Sequence, residues 1–182
     1  MEKLKICNII ELCMVVFMGS LLHFVYGWFG GEVWASVGAV NESTWEHLKL
    51  LFWPLFIMTI PAYYLYGKDF RIFLPARAVA ILTGMAFIVS AFYTYSGILG
   101  YNFLAADIAT FVVGVVIGYI VNYRLIKRGE RTMFHERDMS FISACALAFV
   151  LALAAVFVIF TYYPPHIAVF QDPVTGYYGI SK

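Results

Sequence analysis

The sequence predicts an all-α bundle of about five membrane-spanning helices, and three observations carry that prediction. Of 182 residues, 63% are hydrophobic and only 13% are charged. A soluble domain carries roughly 25% charged residues, and one of this size has too little interior to hide so many Leu, Val, Ile and Phe side chains. The apolar residues come in five runs, each matching the about 20 residues that a bilayer crossing takes. Finally, Lys and Arg concentrate in alternate gaps between the runs, as they do in proteins that cross a membrane repeatedly.

The expected spans are 7–29, 45–67, 75–99, 102–125 and 139–163, within a single membrane domain over 1–182. The first is too long for a signal peptide and lacks a small-x-small cleavage site, so it reads as a retained helix. Pro54 and Pro61 fall inside the second, which predicts a bend. Trp28, Trp34, Trp45, Tyr66, Tyr101, Tyr123, Tyr162 and Tyr163 mark the span ends, as an interfacial aromatic belt does. Residues 164–182 form a tail.

Ten of the twelve basic residues lie on one side: Lys3, Lys5, Lys68, Arg71, Arg77, Arg124, Lys127, Arg128, Arg131 and Arg137. Lys49 and Lys182 lie on the other. This places the N-terminus inside and the C-terminal tail outside. The formal net charge of +1 carries no basic signal for nucleic acid. Cys7, Cys13 and Cys145 form no CxxC pair and read as small buried apolar residues, not as a disulfide framework.

Polar residues that interrupt the spans gather near the outer face. His23 stands six residues before the end of the first span, about 9 Å deep, and Asp107 five residues into the fourth, about 8 Å deep. Tyr93, Tyr95 and Ser96 reach this level on the third span. The segment from Asn41 to His47 opens the second, and the tail brings His166 and Asp172. Asp107, Thr110, Gly114 and Gly118 share a helical face, and Gly114-x-x-x-Gly118 is a close-packing motif in lipid. Gly19, His23, Gly27 and Gly30 share a face of the first span. Ionisable residues within a membrane point to function.

Bland readings stand beside these. Ser43-x-x-Glu46 fits a capping box. Asp172-Pro173 with Gly176 is a turn signal, and His166 fits a solvated tail. Asp107 and His23 fit a buried structural pair. Glu11 is expected to pair with Arg77 at the inner end, and His135 belongs to a charged cytoplasmic turn.

The runs His23-Phe24-Val25-Tyr26-Gly27-Trp28 and Val40-Asn41-Glu42-Ser43-Thr44-Trp45-Glu46-His47, with the ending from Pro164 to Gly179, resemble a family of small bacterial membrane proteins of unknown function. The resemblance covers essentially the whole chain and implies a bacterial membrane protein without supplying an activity. His23-Phe24-Val25-Tyr26 and Asp107 with Gly114 and Gly118 are also similar to VanZ-like proteins. The Glu-x-x-Gln and the Asn soon after the Asp that this similarity calls for are missing.

The chemistry of the outer cluster suggests a metal-dependent membrane hydrolase acting on a lipid or lipid-linked substrate. Zinc takes His nitrogen and carboxylate oxygen, with about three protein ligands and an open position at catalytic sites. His23, His47 and Asp107 are the expected ligands, and Glu42 or Glu46 the expected general base. His166, Asp172 and Tyr95 are further candidates at the same level. One alternative is a transporter or membrane substrate-binding subunit for a small solute or ion, suited to intramembrane His and Asp. Another is a structural or partner-binding membrane protein.

Overall fold

The computed structural model describes residues 2–129 and 136–180. Arg131, His135 and Lys182 lie outside the described residues, as does the side chain of Arg137. The described residues form six α-helices: α1 (Glu2–Phe29), α2 (Gly31–Val37), α3 (Thr44–Leu65), α4 (Phe73–Leu99), α5 (Leu104–Gly129) and α6 (Glu136–Tyr162). Short 3-10 turns cover Gly67–Asp69 and Ala168–Phe170. All but α2 are long and apolar enough to cross a membrane. The protein is therefore a five-span helical bundle. Helix α1 begins five residues earlier than the apolar run that predicted it, because Glu2 to Ile6 continue the helix. Pro54 and Pro61 both lie inside α3, which runs through them.

Small residues set the closest contacts. A Cβ added to Gly114 on α5 would lie 3.1 Å from the Gly84 carbonyl oxygen on α4, and one on Gly118 would lie 3.0 Å from that of Ala80. The α4–α5 seam is thus a backbone-to-backbone approach that larger residues cannot make. Gly19 allows a similar approach of α1 to the Leu50 carbonyl of α3. The rest of the glycine face expected on α1 differs. Nothing lies within 4 Å of a Cβ at Gly27 or Gly30. Gly30 and Gly31 instead have φ of 61° and 80°. This left-handed backbone, natural to glycine, ends α1 and starts the short α2, an element with no counterpart in the expected spans.

The middle of the bundle is apolar: Val15, Leu51, Phe52, Leu55, Ile81 and Val115 form its buried core. A polar layer closes each end. At the basic end Arg77 pairs with Glu11, as the sequence suggested, and also donates to the Tyr66 hydroxyl at 2.7 Å. Tyr119 donates to Glu11, and Asn122 to the Asn8 side chain at 2.9 Å. At the opposite end Lys49 is fully buried. Its ammonium meets Glu46 at 2.5 Å and donates to the Ala35 carbonyl at 2.8 Å and the Thr161 hydroxyl at 2.9 Å. Three donors thus find three acceptors, and α2, α3 and α6 are pinned together.

The tail folds back on this second end. Phe170 is buried with its ring 4.6 Å from Trp45 and 5.4 Å from Phe160. Asn41 donates to the Gly179 carbonyl. All three cysteines are free, and Cys13 and Cys145 are exposed on helix surfaces, not buried.

Candidate functional site

The site begins with the loop before α3. Ser43 caps the helix, its hydroxyl accepting from the Glu46 backbone N–H at 3.3 Å. The reciprocal half of the expected capping box is absent, because Glu46 reaches the Val40 N–H at 3.0 Å and the Ser43 N–H donates to Asn41. This arrangement throws Glu42 outward at the head of α3. One turn into the helix, His47 Nδ1 lies 2.9 Å from the Ser43 carbonyl oxygen. A carbonyl only accepts, so Nδ1 carries a proton, and whenever the ring is neutral its lone pair is at Nε2.

That lone pair faces Glu42. His47 Nε2 is 3.5 Å from one Glu42 carboxylate oxygen, and His23 Nε2 is 3.8 Å from the other. The two imidazole rings are 5.3 Å apart. One ligand atom from each of His23, Glu42 and His47 falls within 4.8 Å of the other two. Tetrahedral bonds of about 2.0–2.1 Å would set ligand atoms about 3.4 Å apart, so a small closure of the trio suffices. The separations are too long for hydrogen bonds. An unprotonated nitrogen opposite a carboxylate is a repulsive arrangement that a cation between them, metal or proton, converts into an attractive one. Fixing one imidazole nitrogen through a backbone carbonyl so that the other is free is how metal-binding histidines are commonly oriented.

Two of the trio, Glu42 and His47, border a cavity of about 90 Å³ that Thr44, Asn102 and Asp107 also reach. Its apolar side is formed by Ile88, Phe92 and Phe111, and the tail residues Pro173 and Val174 also line it. That volume holds a few waters or one polar group, not a whole ligand of the size that fills about 300–1,000 Å³. Across the cavity Asp107 sits in the first turn of α5, where the helix dipole favours a negative charge. The Tyr95 hydroxyl donates to one of its oxygens and the Asn102 amide to the other, at 3.1 Å for Asn102.

The expected site residues therefore divide. His23, His47 and Glu42 come together as a group that could hold a metal ion. Asp107 is held by Tyr95 and Asn102 on the far side of the same cavity, outside the trio. Glu46 is 2% exposed and turned away from the cavity, joined to Lys49 and the Val40 N–H. Asp172 is consumed by its turn: its carboxylate accepts from the Val174 N–H and the Thr175 hydroxyl, both at 2.8 Å. Gly176 completes that turn with φ of 75°. His166 stacks on Tyr178 with ring centroids 4.6 Å apart. Asn102, Thr44 and the Pro173-Val174 wall were not foreseen. Of these, Asn102 alone had a sequence signal, a lone amide beside the glycine that ends α4 and five residues before an intramembrane acid.

A family model described as a family of unknown function (DUF6512) matches residues 1–180. Comparison with curated proteins and with solved structures found no match.

Proposed function

The chain belongs to that family of unknown function, and we propose that it is a metal-dependent hydrolase of the membrane, acting on a lipid or lipid-linked substrate. The observation that carries the reading is the His47 ring, locked by the Ser43 carbonyl so that its free nitrogen faces a carboxylate shared with His23. Two histidines and a glutamate make one of the ligand sets of catalytic zinc. A divalent ion there supplies Lewis acidity. Asp107, steadied by Tyr95 and Asn102, is the general base: it takes a proton from a water in the cavity as that water attacks the scissile bond, and returns it to the leaving group.

The surroundings favour a membrane-borne substrate. From His23 a strip of exposed aromatic rings runs through Phe24, Trp28, Phe29 and Trp34, each ring within 6.4 Å of the next. Such a strip suits the interface, where an amphiphile would approach, and the cavity has room for its reacting group alone. Transport is favoured less, because among the described residues the buried apolar side chains Val15, Leu51, Leu55, Ile81 and Val115 fill the middle of the bundle.

The protein purified in mild detergent is expected to hold about one zinc per chain and to hydrolyse a member of a panel of ester- and phosphate-linked lipids. Asp107→Asn should keep the zinc and lower turnover by about 10²- to 10⁴-fold. Turnover that survives without metal, or that Asp107→Asn leaves unchanged, would sink the hydrolase reading.

By the same reading the site faces the extracytoplasmic side of a bacterial cytoplasmic membrane, because the ten basic residues mark the other end as internal. Reporter enzymes fused after the tail test this. Alkaline phosphatase, active outside, should report, and a reporter active only in the cytoplasm should stay silent; the reverse pattern overturns the orientation.

A further inference from the structure

The basic end of the bundle carries a second cavity, remote from the candidate site. It is a groove of about 450 Å³ between α3, α4 and α6, reaching Ile60 and Tyr63 on α3, Arg77 and Ile81 on α4, and Leu147 and Leu151 on α6. Ile60, Tyr63, Leu147 and Leu151 are all more than 40% exposed, so the groove opens sideways to lipid. A further cavity of about 340 Å³ lies toward the helix ends, lined by Arg71, Met139, Ser140 and Ser143. Ser140, Ser143, Leu147 and Leu151 fall on one stripe of α6 at three- and four-residue spacing. Arg71, Leu74, Arg77 and Ile81 follow the same spacing at and beyond the start of α4. The stripe sets the two cavities in succession along α6, the one toward the helix ends lined by Arg71 and two serines and the other mainly by apolar side chains.

Arg77 is the charged residue lining the larger cavity. Its Nη2 serves Glu11 and Tyr66, yet its Nε and Nη1 are buried without a partner. The Phe73 and Tyr119 rings pack beside the guanidinium, with their centroids 5.1 and 5.5 Å from its central carbon. Unsatisfied donors in a membrane interior are costly, and an occupant offering acceptor oxygens at this depth would relieve them. Arg77 lies four residues into α4, about 6 Å from its start.

We infer that this groove holds one anionic phospholipid, with its phosphate at the Arg71, Ser140 and Ser143 mouth, its ester carbonyls at Arg77 and an acyl chain along Ile60, Leu147 and Leu151. Charge selects the head group. Lys68 and Arg71 belong to the basic end, and basic residues near a membrane surface favour anionic lipid. The volume lies within the about 300–1,000 Å³ of typical ligand sites.

The test is native mass spectrometry of the full chain in detergent, with phosphatidylglycerol and phosphatidylcholine of identical acyl chains added in equal amounts. The phosphatidylglycerol adduct should exceed the other by roughly tenfold. Leu147→Trp, which fills the groove from a lipid-exposed position, should lower that adduct at least about fivefold, and Leu151→Trp serves the same purpose should the first variant fail to fold. Phe149→Trp, on α6 outside the groove, should leave the adduct unchanged. Equal adducts of the two lipids, undiminished binding in the folded groove variant, or equal loss in Phe149→Trp overturns the assignment.

Discussion

Replacing Lys49 with alanine will cost the fold about 3–5 kcal/mol, because it leaves the Glu46 carboxylate buried without its counter-charge. Glu46 is 2% exposed, and only the Val40 N–H would remain to satisfy it. The Ala35 carbonyl and the Thr161 hydroxyl would lose their donor as well. For a chain of this length that loss corresponds to a drop of roughly 6–20 °C in melting temperature, measured by fluorescence-detected unfolding in detergent. Lys49→Met with Glu46→Gln, which removes both charges and keeps the volume, should recover most of it. A Lys49→Ala protein that melts within about 2 °C of the wild type, below the shift expected of even 1 kcal/mol, would show that the pair is dispensable to the bundle.

His47→Ala should weaken zinc binding by more than about 100-fold. Loss of an outer partner alone costs a metal site about 10- to 100-fold, and this change removes both a ligand nitrogen and the ring that the Ser43 carbonyl orients. Competition with a zinc indicator on purified protein provides the measurement. Glu46→Gln serves as the contrast: Glu46 lies outside the trio, so zinc affinity should hold even where stability falls. Equal zinc affinity in His47→Ala and wild type would remove His47 from the ligand set.

The five spans were legible because length and apolar content alone define a membrane crossing, and neither depends on tertiary contacts. Helix α2 was not. Its seven residues, Gly31–Val37, are too short to carry a periodic signal, and the backbone at Gly30 and Gly31 that creates it is a matter of φ, which composition does not report. At the candidate site, depth along the helices correctly grouped His23, His47 and Asp107 at one end. Depth does not say which side chains meet. Glu42 joins the histidines because the Asn41-to-Ser43 loop turns it outward, whereas Asp107 is captured by Tyr95 and Asn102 before it reaches them. Glu46 is drawn inward by a lysine three residues along the same helix. The layer at the basic end was half legible: Glu11 and Arg77 stand out as charges, while Asn8, Tyr66, Tyr119 and Asn122 acquire meaning only when four segments meet.

The two polar layers stand twelve residues apart on α1, from Glu11 to His23, or about 18 Å. Among the described residues, an apolar cluster that includes Val15, Leu51, Phe52, Ile81 and Val115 packs in the middle of the bundle. Sites that far apart, sharing no partner, contribute to stability additively to within about 0.3–0.5 kcal/mol. The bundle therefore behaves as two modules on a common shaft. Its basic end can hold the helices in register while substitutions retune the other end, and neither end is obliged to evolve in step with the other.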